Sequence, residues 1–110
     1  MEIKVEECEK FWKVGVDGRL VAVCAEELKD ALAGKVEAKP WVLFDLSKMT
    51  HVDSSGLGAL VQILQKAKAG GGIARIACLQ PHPRIVFDIT KVFRVFEIFD
   101  TVEQAEKAFG

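Results

Sequence analysis

A chain of 110 residues has room for one domain and one core. Half of its residues are hydrophobic, 28% are charged and the formal net charge is −1, so nothing in the balance calls for a nucleic-acid or anionic-membrane partner. No apolar run approaches the roughly 20 residues of a membrane-spanning helix. The acidic, alternating start Met1-Glu2-Ile3-Lys4-Val5-Glu6-Glu7 is unlike a signal peptide, and the widely spaced Cys8, Cys24 and Cys78 make no disulfide framework. Together these point to a cytoplasmic protein.

Ile3 and Val5 alternate with Lys4 and Glu6, the period of a half-exposed strand. Glu7 to Lys10 turn the chain, and Phe11 to Val16 form a second strand antiparallel to the first. Asp17-Gly18 alone is a hairpin signal. Because a helix follows closely, Gly18 is read instead as a bulge before Leu20-Val21-Ala22-Val23. The first helix is Ala25 to Ala33, with Leu28, Ala31 and Leu32 towards the core, Glu26 and Glu27 in its first turn, Cys24 at the cap and Gly34 as its stop. Lys35 to Pro40 is a loop. Trp41 to Leu46 is apolar almost throughout, as a strand buried on both faces is.

A short polar loop leads to Asp53-Ser54-Ser55, and then Leu57, Leu60, Val61 and Leu64 fall at i, i+3, i+4 and i+7, one face of a helix that stops at Gly70-Gly71-Gly72. Ile73 to Leu79 is the next buried strand. Gln80-Pro81-His82-Pro83 opens a short helix with Ile85, Val86 and Ile89 inward. Val92 to Phe99 is a late edge strand or extended segment, and Thr101 to Phe109 a terminal helix whose Thr101 and Gln104 resemble a capping box. Phe87, Phe93, Phe96, Phe99 and Phe109 are assigned to core and satellite packing, and Arg84, Lys91 and Arg94 to a solvated face. Strands alternating with helices give an α/β fold: a mixed, mostly parallel sheet of four to five strands with about four helices, in a single domain over residues 1–110.

The junction Asp53-Ser54-Ser55 lies beyond the carboxyl end of a strand and at the start of a helix. Ligands and partners of such sheets gather there. The bland reading is a helix cap and nothing more, since Asp and Ser are the commonest caps. Against it stands redundancy: one residue suffices as a cap, and three polar residues crowd the site. Gly56 and Gly58 weaken the helix by about 1 kcal/mol each relative to alanine, which makes sense where another backbone must approach. Gly56-Leu57-Gly58 is no dinucleotide fingerprint, because Val61 stands where G-x-G-x-x-G needs its third glycine. No G-x-S-x-G elbow surrounds Ser54 or Ser55, and His51, on a loop before the turn, and His82 are the bases a hydrolase would have to use. Cys8, Cys24, Cys78, His51 and His82 lack metal-ligand spacing, so no metal and no cofactor is expected.

Trp41-Val42-Leu43-Phe44-Asp45-Leu46-Ser47 running into His51-Val52-Asp53-Ser54-Ser55-Gly56-Leu57-Gly58 resembles the signature of STAS domains, above all those of bacterial anti-sigma factor antagonists. Ala25-Glu26-Glu27-Leu28 resembles their first helix, and Phe93 to Ala105 their last segment. The resemblance implies helices packed mainly on one face of the sheet and a non-enzymatic, partner-switching module. Its partner would be an anti-sigma factor that is also a serine kinase. That kinase would phosphorylate Ser54, with Ser55 as second choice, and a serine phosphatase would reverse the reaction. Partner contacts would fall on Val21, Asp53, Ser54, Ser55, Gly56, Leu57 and Gly58. The chain departs from the pattern at Gly18-Arg19-Leu20-Val21, where many antagonists carry aspartate in place of Val21, and at Cys24, where threonine is frequent. Scaffolds of stress-signalling assemblies and small subunits of lipid-transport systems also belong to the family, and Val21 makes such a non-phosphorylated role the alternative.

Overall fold

The computed structural model describes residues 1–109. Its strands are β1 (Glu2–Glu7), β2 (Trp12–Leu20), β3 (Trp41–Asp45), β4 (Met49–Val52), β5 (Ile73–Ala77) and β6 (Glu97–Phe99). Its helices are α1 (Ala22–Ala31), α2 (Lys35–Ala38), α3 (Ser54–Ala69), α4 (Pro81–Thr90) and α5 (Val102–Lys107), with a single 3-10 turn at Val92–Arg94. The sheet order is β1-β2-β3-β5-β6, with β1 antiparallel to β2 and all other neighbours parallel. This is the mostly parallel α/β fold that the alternation of elements predicts.

The strand missing from the sequence reading is β4. It runs parallel to the far end of β2, pairing Met49 with Gly18, His51 with Arg19 and Val52 with Leu20. β3 and β4 are thus two pieces of one path along β2, interrupted at Leu46–Lys48. There the Leu46 N–H donates to the Ala77 carbonyl of β5 at 3.0 Å, and the Asp45 carboxylate accepts from the Ser47 N–H at 3.1 Å. Four residues with buried ends and exposed Thr50 and His51 between them show no clean period of two, which is why the segment reads as loop. β2 makes the change of partner possible: Gly18 takes φ +93° and the register shifts between Gly18 and Arg19, the bulge expected there.

Helices cover the two faces unequally. Val14, Val16, Val42, Phe44, Ala74 and Ile76 point to the side of α1, α2 and α3, where Leu28, Val36, Leu60 and Leu64 join them in the main core. The alternate residues, Phe11, Leu43 and Ala77, point the other way and meet Ala105 of α5, with Phe109 stacked on Phe11 at 4.7 Å between ring centroids. α3 ends where Gly72 passes so close to Pro40 that a side chain there would overlap the Pro40 carbonyl.

Four expectations need correction. α1 starts at Ala22 rather than Ala25, so its cap is Val21 and not Cys24, and Glu26 and Glu27 fall beyond the first turn. Residues 35–38, expected as loop, form the single turn α2, which buries Val36. In α4 the core side is Pro83 and Phe87, while Ile85 and Ile89 face solvent at 54% and 75% exposure; a ten-residue helix offers two apolar phases, and the larger, ring-bearing one wins. Of the extended segment expected over 92–99, only Glu97–Phe99 is strand, because Lys91 at φ +61° ends α4 and a 3-10 turn follows, leaving Phe93 exposed.

Candidate functional site

β2 and β4 end side by side, and each hands over directly to a helix: Leu20 to α1 and Val52 to α3. The two helix starts therefore meet, and Asp53 stands between them. Its backbone is extended (φ −113°, ψ −176°), as an N-cap residue requires, and its N–H donates to the Leu20 carbonyl at 3.3 Å. One carboxylate oxygen, Oδ1, accepts from the Gly56 N–H at 2.9 Å and caps α3; the other, Oδ2, accepts from the Ala22 N–H at 3.1 Å and caps α1. Val21, the N-cap residue of α1, has no side chain able to do this, and none caps locally. One carboxylate thus serves two helices.

Asp53 is half-buried under this arrangement, whereas Ser54 and Ser55 are exposed. Among the described residues no hydrogen bond reaches the N–H of Ser54 or of Ser55, which leaves two donors at the positive end of a sixteen-residue helix. Gly56 and Leu57 are buried, and a Cβ on Gly56 would overlap the Leu20 carbonyl oxygen and crowd Leu20 and Val52. This glycine lets α3 start against the end of β2. Gly58 is different: no atom stands within 4 Å of where its Cβ would be. It opens onto a shallow groove lined by Ser54, Leu57, Gly58, Val61, Thr90 and Val92.

The structure therefore gathers Val21, Asp53, Ser54, Ser55, Gly56, Leu57 and Gly58 at one place, with both serines exposed. Sequence reasoning missed Ala22, whose N–H is half of the Asp53 clasp; the poor capping residue Val21 preceding it was the available signal. His51 lies on β4 rather than on a loop. Its Nδ1 is 3.0 Å from the Thr50 hydroxyl and its ring meets His82 edge-on at 4.7 Å, so among the described residues neither imidazole is bonded to a serine. Burial pushes the thiols of Cys8 and Cys78 up from their ordinary range, with Glu6 adding to the effect at Cys8 and Asp45 at Cys78. Neither is held as a thiolate. Alkylation by iodoacetamide at neutral pH should run slower at both than with free glutathione, a comparison that timed mass spectrometry makes directly.

A family model of the STAS domain matches residues 2–105. The chain belongs to the STAS domain family. It is 28% identical over 103 residues to BtrV of Bordetella bronchiseptica, a proposed anti-sigma factor antagonist, covering 86% of this chain and 89% of that one. Among solved structures, an anti-sigma factor antagonist from Mycobacterium paratuberculosis superposes with a TM-score of 0.86 at 25% identity, over 98% of this chain and 92% of that one. The Bacillus cell-fate determinant SpoIIAA, solved in its phosphorylated form, shares the fold with a TM-score of 0.77 at 17% identity, over 99% of this chain and all of the other. As a STAS domain, the chain carries its serine pair at the start of the longest helix, on the rim where two strands end together.

Proposed function

We propose that this STAS domain is an anti-sigma factor antagonist that binds an anti-sigma factor with serine kinase activity, releases the sigma factor, and is switched off by phosphorylation of Ser54. The observation that carries this reading is the exposed Ser54 hydroxyl at the tip of α3, beside free N–H groups and an open groove. The names of BtrV and of the SpoIIAA structures support the partner class.

The switch is electrostatic. A phosphate on Ser54 adds about −1.5 to −2 charges at neutral pH. The helix start and the unpartnered N–H groups of Ser54 and Ser55 favour such an anion by roughly 0.3–2 kcal/mol, so the scaffold keeps its shape. The bound partner meets a new dianion next to Asp53 and must desolvate it; about 1.4 kcal/mol is enough for each tenfold loss of affinity. No refolding is required.

Incubation with the cognate anti-sigma factor kinase and ATP should place one phosphate on Ser54, read by intact mass and peptide mapping; a phosphate on Ser55 or none at all refutes the assignment. Ser54→Asp should weaken anti-sigma factor binding at least about tenfold while its melting temperature stays that of the wild type. Unchanged affinity in that variant counts against the interface. Val21 supports a second reading, a STAS scaffold without phosphorylation, since many antagonists carry a carboxylate at that place. An unphosphorylated chain that elutes within a large assembly on gel filtration selects it.

A further inference from the structure

Exposed apolar side chains are unremarkable when scattered and informative when they line up. Of six large ones among the described residues, four fall in one short stretch: Ile85 and Ile89 on α4, Phe93 in the 3-10 turn and Val95 after it. Ile85 and Ile89 stand one turn apart, on the side of α4 away from the fully buried Phe87. Cations flank this stripe. Lys91 sits at the end of the helix, and the Arg94 guanidinium lies 5.9 Å from the centre of the Phe93 ring. Arg84, near the start, donates to the Leu79 carbonyl at 3.5 Å. Among the described residues none of the three has an ion pair. α4 itself carries one acid, Asp88.

We infer that α4 and the turn after it form a second docking surface, for an acidic amphipathic helix of a protein partner. Apolar residues of that helix cover Ile85, Ile89 and Phe93, and its carboxylates meet Lys91 and Arg94. The charges decide against the other occupants. A second copy paired by a two-fold axis would bring together two faces of the same net positive sign, each with Lys91 and Arg94 and only Asp88 of α4 to offset them. An anionic bilayer would have to be gripped by a ten-residue helix on a chain whose net charge is −1. Thr90 and Val92 also line the groove at Ser54, so the surface adjoins the phosphorylation site without depending on it.

The test uses two synthetic helical peptides, one with leucines at i, i+3, i+4 and i+7 flanked by glutamates, and one with lysines in place of the glutamates. Each is titrated into the isotope-labelled full chain and followed by amide chemical shifts. The acidic peptide should move resonances of the segment 84–95 and bind at least about tenfold more tightly than the basic one at low salt. The double variant Ile85→Ser/Ile89→Ser should lose that binding at least about tenfold and keep the wild-type melting temperature, since both side chains are in solvent. Lys91→Glu/Arg94→Glu should reverse the preference between peptides. Ser54→Ala, which removes the phosphate acceptor and adds no charge, should leave it intact, which separates this surface from the phosphorylation reading. Equal affinities, shifts centred elsewhere, or indifference to Ile85→Ser/Ile89→Ser overturn the inference. So does a dimer in sedimentation that the double variant dissolves, or co-sedimentation with phosphatidylglycerol vesicles that it abolishes.

Discussion

Gly56→Ala should destabilise the domain by about 3 kcal/mol, the upper end of what forcing atoms into a filled site costs, and lower the melting temperature by roughly 10–20 °C. The added methyl would occupy the place of the Leu20 carbonyl oxygen and press on the Leu20 and Val52 side chains. Backbone cannot rotate out of the way as a side chain can, so α3 must lift from the end of β2. Lifting it stretches the bond from the Asp53 N–H to that same carbonyl and with it both bonds of the Asp53 carboxylate. Two residues on, the sign reverses. Gly58→Ala meets nothing within 4 Å and should gain about 1 kcal/mol of helix propensity, raising the melting temperature by roughly 4–8 °C. Thermal and denaturant unfolding of the two variants, side by side, check the pair. A Gly56→Ala protein that melts with the wild type would mean that α3 does not start against β2.

What could be seen in the sequence follows from how local its cause is. A polar cap somewhere in Asp53–Ser55, the α3 stripe and the Gly70–Gly72 stop are written within one turn of the residues concerned; the structure makes Asp53 the cap, and α3 (Ser54–Ala69) stops at the glycines as expected. Thr101 likewise accepts from the Gln104 N–H at 3.2 Å. The misses share a non-local cause. β4 is extended because Gly18–Leu20 of β2 lies beside it, and Met49-Thr50-His51-Val52 carries no period of its own. α1 begins at Ala22 because a carboxylate 31 residues away caps it. Ile85 and Ile89 face solvent because Phe87, on the opposite side, fills the core. At the site, residue types told which chemistry was present, and a glycine pair told that something comes close. That Gly56 answers to Leu20 of the same chain while Gly58 looks onto open space is a difference that only the packed structure contains.

Asp53→Ala should cost roughly 2–4 kcal/mol, because it removes two caps at once. Loss of an N-cap costs about 0.5–2 kcal/mol, and a hydrogen bond to a charged group contributes about 1.5–3 kcal/mol. The Ala22 N–H lies at the surface, where water replaces part of the lost bond, so the second loss falls at the low end. Asp53→Asn separates the two contributions. Its amide retains one acceptor, which can serve Gly56 or Ala22 but not both, and its NH2 group opposes whichever N–H is left. The asparagine variant should therefore sit about midway between wild type and alanine in stability. Hydrogen exchange tells which helix loses: faster exchange at Ala22 with α3 protection kept means that the carbonyl stays with Gly56. If exchange at Ala22 is the same in all three proteins, the Oδ2 bond contributes nothing and the two helix starts are independent. If it rises, Asp53 is the mechanical link between α1 and α3. The Asp53 charge is then held by donors of both helices, while the free N–H groups of Ser54 and Ser55 stay open beside it, so an anion arriving there need not disturb either cap.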